Sequence, residues 1–224
     1  MSFKNDYIAN SESNLAAVFQ VESTLHVGVD FQKAFCQFPY DPALFSKEMK
    51  LYYERQQALL TEVAAMGQAF REAGVRNVWV QQEGSFEERE FADDSFYKRG
   101  VSRQKVLDFA ATAHELCVPV ADRDSVMLKN DFNLFTTVGA AQKLRMHGAK
   151  TLLLTGGAKD VCLLETAKGA VENGFTTFMI DDLTYLANAY EPEREISEAV
   201  LRVCVEKGIG VVQSAHVRSL LLKP

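Results

Sequence analysis

The chain has 224 residues, 47% hydrophobic and 24% charged, which is long enough for a single domain with a large core. A net charge of −6 without a basic cluster argues against nucleic acid or anionic membrane as a partner. No apolar run approaches the roughly 20 residues of a membrane helix, and the first residues lack the basic start and apolar block of a secretory leader. Cysteines 36, 117, 162 and 204 form no CxxC pair, and histidines 26, 114, 147 and 216 have no zinc-ligand spacing. These features predict a reducing, cytoplasmic setting, no disulfide framework, no metal and no cofactor.

Residues 1–23 are polar and mixed and read as an irregular N-terminal arm. Leu25 to Asp30 is a strand ending in an acid. Met49 to Ala73 carries Leu59, Leu60, Val63, Met66 and Phe70 on one helical face, with Gly74 as the stop. Asn77 to Gln81 is a second strand. The segment from Glu83 to about Gly100 is charged and aromatic without periodicity, and reads as an insertion. Gln104 to Leu116 is helical, Val118 to Val120 is extended, and Asp124 to Lys129 is a further short extended segment. A helix over Val138–His147 is closed by Gly148. Thr151 to Thr155 is a buried strand, Gly156-Gly157-Ala158 breaks it, and a helix runs from Cys162 to Asn173. Thr176 to Asp181 is the next strand, Glu193 to Lys207 the next helix, and Ile209 to Val212 the last strand.

This alternation predicts one α/β domain over residues 1–224, a three-layer α-β-α sandwich with a mostly parallel sheet. In such sheets reactive groups gather at the carboxyl ends of strands, where Asp30, Lys129 and Cys162 all fall. A thiol that opens a helix feels the positive end of the dipole, which favours the thiolate. An adjacent carboxylate can take the thiol proton, and an ammonium can stabilise the charge.

Three segments carry a family resemblance. Asp30-Phe31-Gln32-Lys33-Ala34-Phe35 resembles the DxQxxF opening of the isochorismatase-like cysteine hydrolases. Lys129, followed by Asn133-Leu134-Phe135, resembles the family's lysine segment. Thr155 to Cys162 resembles its nucleophile turn, and the likeness spans about Val27 to Asp182. The resemblance implies a Rossmann-like topology and a triad of Asp30 (general acid/base), Lys129 (electrostatic support) and Cys162 (nucleophile). It also implies a cis peptide between Gly157 and Ala158, an oxyanion hole from the amides of Ala158 and Cys162, and a homodimer or homotetramer. Phe35 and Phe135 are expected to wall the pocket, with Gln81 as a further substrate-binding residue.

The sequence departs from the family pattern in three places. Val80 to Phe86 holds no histidine, where the nicotinamidase branch has metal ligands. The chain therefore looks like the metal-free amidohydrolase branch, typified by N-carbamoylsarcosine amidohydrolase. Lys159 replaces the usual threonine, and either biases the pocket toward anionic substrates or points to solvent. The insertion over 83–100 reads equally as a lid or as a subunit contact. The expected activity is metal-independent hydrolysis of a C–N bond in a small amide or carbamoyl compound through a thioester. The alternatives are a non-catalytic binding module on the same fold, or vinyl-ether hydrolysis of the isochorismatase type.

Overall fold

The computed structural model describes residues 3–38, 43, 46–84, 86–87, 101–187 and 193–222. Its strands are β1 (Thr24–Val29), β2 (Arg76–Gln82), β3 (Ser125–Lys129), β4 (Thr151–Gly156), β5 (Thr176–Thr184) and β6 (Gly210–Val212). They form one sheet in the order β3-β2-β1-β4-β5-β6, and every pair is parallel. The helices are α1 (Phe3–Val18), α2 (Lys33–Cys36), α3 (Lys47–Ala73), α4 (Arg103–Thr112), α5 (Ala140–Met146), α6 (Cys162–Glu172), α7 (Glu193–Lys207) and α8 (Ser214–Leu221).

Both faces of the sheet are covered, so β1 and β4 are buried at every position. Alternate residues Leu25, Val27, Val29, Leu152 and Leu154 point to one layer, where they meet Leu144 of α5, Leu163 and Ala167 of α6 and Cys204 of α7. Trp79, Leu153, Phe178 and Ile180 point to the other, against Val63, Met66 and Phe70 of α3 and Val217 and Leu220 of α8. Helix α3 starts where the Ser46 hydroxyl accepts the Met49 amide at 3.2 Å, and stops at Gly74, which takes φ 91°. The chain winds outward in opposite directions from β1 and from β4. The crevice between their carboxyl ends is the switch point where α/β sheets bind ligands.

One polar thread runs through the α3 layer. The His26 ring bridges Asn77 Oδ1 and Thr155 Oγ1, each at 2.8 Å, and stacks on Phe70 at 4.7 Å. Asn77 and the Trp79 indole donate onward to the Asp124 carboxylate, which Arg71 clamps through two nitrogens. Every member finds a partner, which is the condition for burying polar groups without a large penalty.

Several sequence expectations change. The arm over 1–23 is mostly helix α1, which packs along β6: Tyr7 donates to the Ile209 carbonyl at 2.7 Å, and Leu15 is fully buried. Helix α4 ends at Thr112 rather than 116, because the following residues pair with the stretch after β1 through an antiparallel Gln32–Leu116 bridge. Residues 118–120 form no strand, and α8 follows β6. Most of the 83–100 insertion (residue 85 and residues 88–100) lies outside the described residues, so neither the lid reading nor the contact reading is addressed.

Burial lowers the His26 pKa from 6.5 to about 4. The unfolded chain therefore takes up a proton below pH 6.5 that the folded protein refuses until about pH 4. Stability is complete above that window and falls within it, by up to about 3 kcal/mol from this group. Urea unfolding at about pH 7 and about pH 4.5 should show the loss, and His26→Gln should shrink the difference between the two.

Candidate active site

Asp30 follows β1 directly and takes φ 56°, a left-handed conformation that aspartate tolerates better than most residues. Its amide is held by the Val80 carbonyl at 2.9 Å, and its carbonyl accepts the Tyr185 hydroxyl at 2.6 Å. The side chain is thereby turned inward. Lys129 ends β3, two strands away, and crosses over β2 to reach Asp30 Oδ2 at 2.9 Å. Both groups are almost fully buried, at 0% and 2% exposure, a position that charges occupy only when paired. The lysine's remaining protons go to Gln82 Oε1 at 2.8 Å and to the Asp131 carbonyl at 3.1 Å, so three acceptors meet three donors. Gln82 is fixed in turn by Gln32, which accepts the Gln82 amide and donates to its carbonyl.

Cys162 is the first residue of α6, and its thiol contacts both the Asp30 carboxyl and the Lys129 ammonium. The turn that delivers it depends on two glycines. At Gly156, with φ 104°, a Cβ would stand 2.0 Å from the Val29 carbonyl oxygen. At Gly157 it would stand 2.6 Å from the Tyr185 ring. The Gly157–Ala158 peptide bond is cis. The Ala158 carbonyl accepts the amides of Val161 and Leu163, each at 3.0 Å. Among the described residues, the amides of Ala158 and Cys162 themselves carry no backbone hydrogen bond.

These groups open on a cavity of about 460 Å³ lined by Asp30, Ala158 and Cys162, with Phe35, Met49, Tyr52, Val161 and Tyr185 as its walls. Phe35 is a wall residue, as expected, and meets Phe86 edge-on at 5.7 Å. Phe135 is not a wall residue. Its ring packs against Phe175 at 5.7 Å, beside the core cluster of the α5–α7 layer, because Asn133 caps its turn and seats it there. Gln81 is also displaced from the pocket: its amide donates to the His114 carbonyl at 2.7 Å. Neighbouring strand residues face opposite ways, so the glutamine that serves the site is Gln82. Lys159 points neither into this cavity nor to solvent. It is paired with Asp181, which Lys4 of α1 also holds at 2.9 Å, and it lines a separate cavity of about 620 Å³. Sequence reasoning passed over Gln82, Tyr185 and Tyr52. Gln32 stood in the DxQxxF segment but was given no role there.

The electrostatics correct the expectation of a resting thiolate. Burial, and then the Asp30 charge, push the Cys162 thiol from 9.0 up to about 11, against the opposing pull of Lys129. Two pKa units are close to 3 kcal/mol, whereas a helix terminus supplies about 0.3–1 kcal/mol, rising to about 2 in partly buried geometries. Burial and the carboxylate win, and the resting thiol is protonated. Asp30 itself is raised by burial, with Lys129 restraining the shift. Its Oδ1 is buried with no hydrogen-bond partner among the described residues, leaving an acceptor open beside the thiol. Also among the described residues, no three histidine, cysteine, aspartate or glutamate side chains converge as metal ligands.

The sequence model of the isochorismatase domain matches residues 24–208, and the chain belongs to the isochorismatase-like hydrolase family. Solved structures share the fold. A cysteine hydrolase from Pseudomonas syringae pv. phaseolicola is 17% identical over 91% of this chain and 94% of its own, with a TM-score of 0.63. N-carbamoylsarcosine amidase from Thermoplasma acidophilum is 20% identical over 86% and 96%, with a TM-score of 0.57. Pyrazinamidase of Pyrococcus horikoshii, in complex with zinc, is 20% identical over 85% and 99%, with a TM-score of 0.59. No curated protein sequence matches the chain significantly.

Removing one partner of the central pair leaves an uncompensated buried charge. Lys129→Met is expected to cost about 3–5 kcal/mol in equilibrium unfolding at neutral pH. The double variant Lys129→Met/Asp30→Asn should recover much of that loss, since neither charge then remains buried.

Proposed function

We propose that the protein is a cysteine-dependent, metal-independent hydrolase of a C–N bond in a small amide or carbamoyl compound. The observation that carries this reading is one thiol beside both an ammonium and a carboxylate that keeps one oxygen without a hydrogen-bond partner among the described residues, at the floor of a half-open cavity. The substrate carbonyl carbon sits over Cys162 Sγ. Asp30 takes the thiol proton as the sulfur attacks, which avoids any need for a standing thiolate. The developing oxyanion is met by the amides of Ala158 and Cys162. Asp30 then gives its proton to the departing nitrogen, and a thioester remains. A water, deprotonated by Asp30, attacks the thioester and restores the thiol. Lys129 holds the carboxyl group in place and favours its charged form throughout. The aromatic and aliphatic walls suit a compact substrate with an apolar flank. Glu83, alone at the end of β2 without histidine neighbours, supports the metal-free assignment.

A panel of small amides, ureas and carbamates tests the reading. Turnover should appear for at least one of them and vanish in Cys162→Ala while the fold is retained. Hydrolysis of an added vinyl-ether substrate of the isochorismate type that survives loss of the thiol would point instead to vinyl-ether chemistry, and no turnover of any of these compounds would favour a binding module. EDTA should leave the rate unchanged.

The pH profile is a separate check. Asp30 must be ionised to act as a base, and its pKa lies above the ordinary value of 3.8. The acid limb of kcat/KM should therefore fall at a higher pH than a normal carboxylate would give. No alkaline limb from Cys162 should appear until the pH nears its thiol pKa of about 11.

A further inference from the structure

Two further thiols, which the chemistry above does not use, lie at and beside the stretch after β1. Cys36 ends α2, six residues beyond Asp30, and is 1% exposed. Cys117 is half-buried on the segment after α4. The two stretches run antiparallel, joined by the Gln32–Leu116 bridge, the Lys33 amide on the Glu115 carbonyl at 2.8 Å, and the Cys117 amide on the Phe31 carbonyl at 2.7 Å. The α2 turn brings Cys36 back over Gln32 (its amide donates to the Gln32 carbonyl at 3.0 Å), and across the pairing Cys117 packs against the cluster that holds Cys36, so the two thiols are neighbours that shift each other's ionisation. Both are free. Cys36 also touches the catalytic side: its sulfur lies 4.0 Å from the Asp30 carbonyl oxygen and contacts the Tyr185 hydroxyl, which donates to that same carbonyl.

We propose that Cys36 and Cys117 form a reversible disulfide in response to hydroperoxides, and that this bond switches the hydrolase off. Cys117 is the attacking sulfur. It is the more exposed of the two, the contact with Cys36 lowers its pKa, and Lys33 favours its thiolate. The thiolate attacks one peroxide oxygen and the O–O bond breaks. The other oxygen leaves as an alkoxide or hydroxide, takes up a proton, and the sulfur becomes a sulfenic acid. Cys36 then attacks that sulfur, and the S–O bond breaks. The departing hydroxide takes the Cys36 proton to form water. Two thiols lose two electrons to the peroxide, giving one disulfide, one water and one alcohol, or a second water when the oxidant is hydrogen peroxide. Once bonded to Cys117, the Cys36 sulfur has no proton for the Asp30 carbonyl and moves away from Tyr185. The backbone seat that holds Asp30 in its left-handed conformation then loses support.

The test treats the full chain with hydrogen peroxide and maps its peptides without reduction. The expected map contains the Cys36 peptide joined to the Cys117 peptide, and dithiothreitol separates them. Cys36 and Cys117 remaining reduced, or joined to other cysteines instead, would overturn the assignment. This arm does not depend on turnover. The activity arm rests on the hydrolase reading: turnover should be lost as the crosslink accumulates, return with dithiothreitol, and persist through the same treatment in Cys117→Ser and Cys117→Ala. The same maps follow Cys162, and loss of turnover is scored only in samples where Cys162 stays reduced. If both Cys117 variants lose turnover as the unaltered protein does, or if the crosslink forms without loss of turnover, the switch does not exist.

Discussion

The buried contact between Lys129 and Asp30 is the constraint around which the site is arranged. Two opposite charges have been removed from water, and their mutual attraction offsets that cost only if the rest of each group is satisfied. The surroundings meet this condition for the ammonium through Gln82 and the Asp131 carbonyl, and leave one carboxylate oxygen open. That asymmetry is chemically useful. A fully satisfied carboxylate would be a poor proton acceptor, and an unpaired one would be costly to hold charged in the interior. The pair sits between these limits: the carboxyl is held by Lys129 on one oxygen and open on the other.

The topology explains how three distant residues converge. Asp30 and Cys162 follow β1 and β4, the adjacent strands at which the winding reverses, so both reach the same crevice without long loops. Lys129 comes from the edge strand β3 and spans β2 with its four-carbon stem, which only a long flexible cation could do. The two glycines at the end of β4 serve this arrangement sterically. One lets the chain pass over the end of β1, and the other makes room for the Tyr185 ring, whose hydroxyl braces the Asp30 carbonyl.

Features that depend on local order were legible in the letters. Short apolar strands closed by glycine or an acid, and a thiol opening a helix, are local patterns, and they predicted a mostly parallel sheet with Asp30 and Cys162 at carboxyl ends of strands. Features that depend on where side chains point were not. Gln81 and Gln82 are chemically identical neighbours, and only the pleat decides which one reaches Lys129. Phe135 was placed in the pocket by analogy, but the Asn133 cap turns it toward Phe175. Lys159 found Asp181, 22 residues on, a pairing that no local pattern announces. Helix α1 escaped notice because its contact face is thin: Tyr7, Ser11 and Leu15 recur at helical spacing, but only Leu15 is both aliphatic and fully buried. The thiol's protonation state also depends on depth, which a sequence does not display.

The Asp181 carboxylate is gripped from two sides, by Lys4 near the start of α1 and by Lys159 in the turn that carries Cys162. Helix α1 and that turn thus share one anchor. A rearrangement of α1 against β6 would therefore be felt at the Cys162 turn through a single carboxylate, a coupling between two distant parts of the fold.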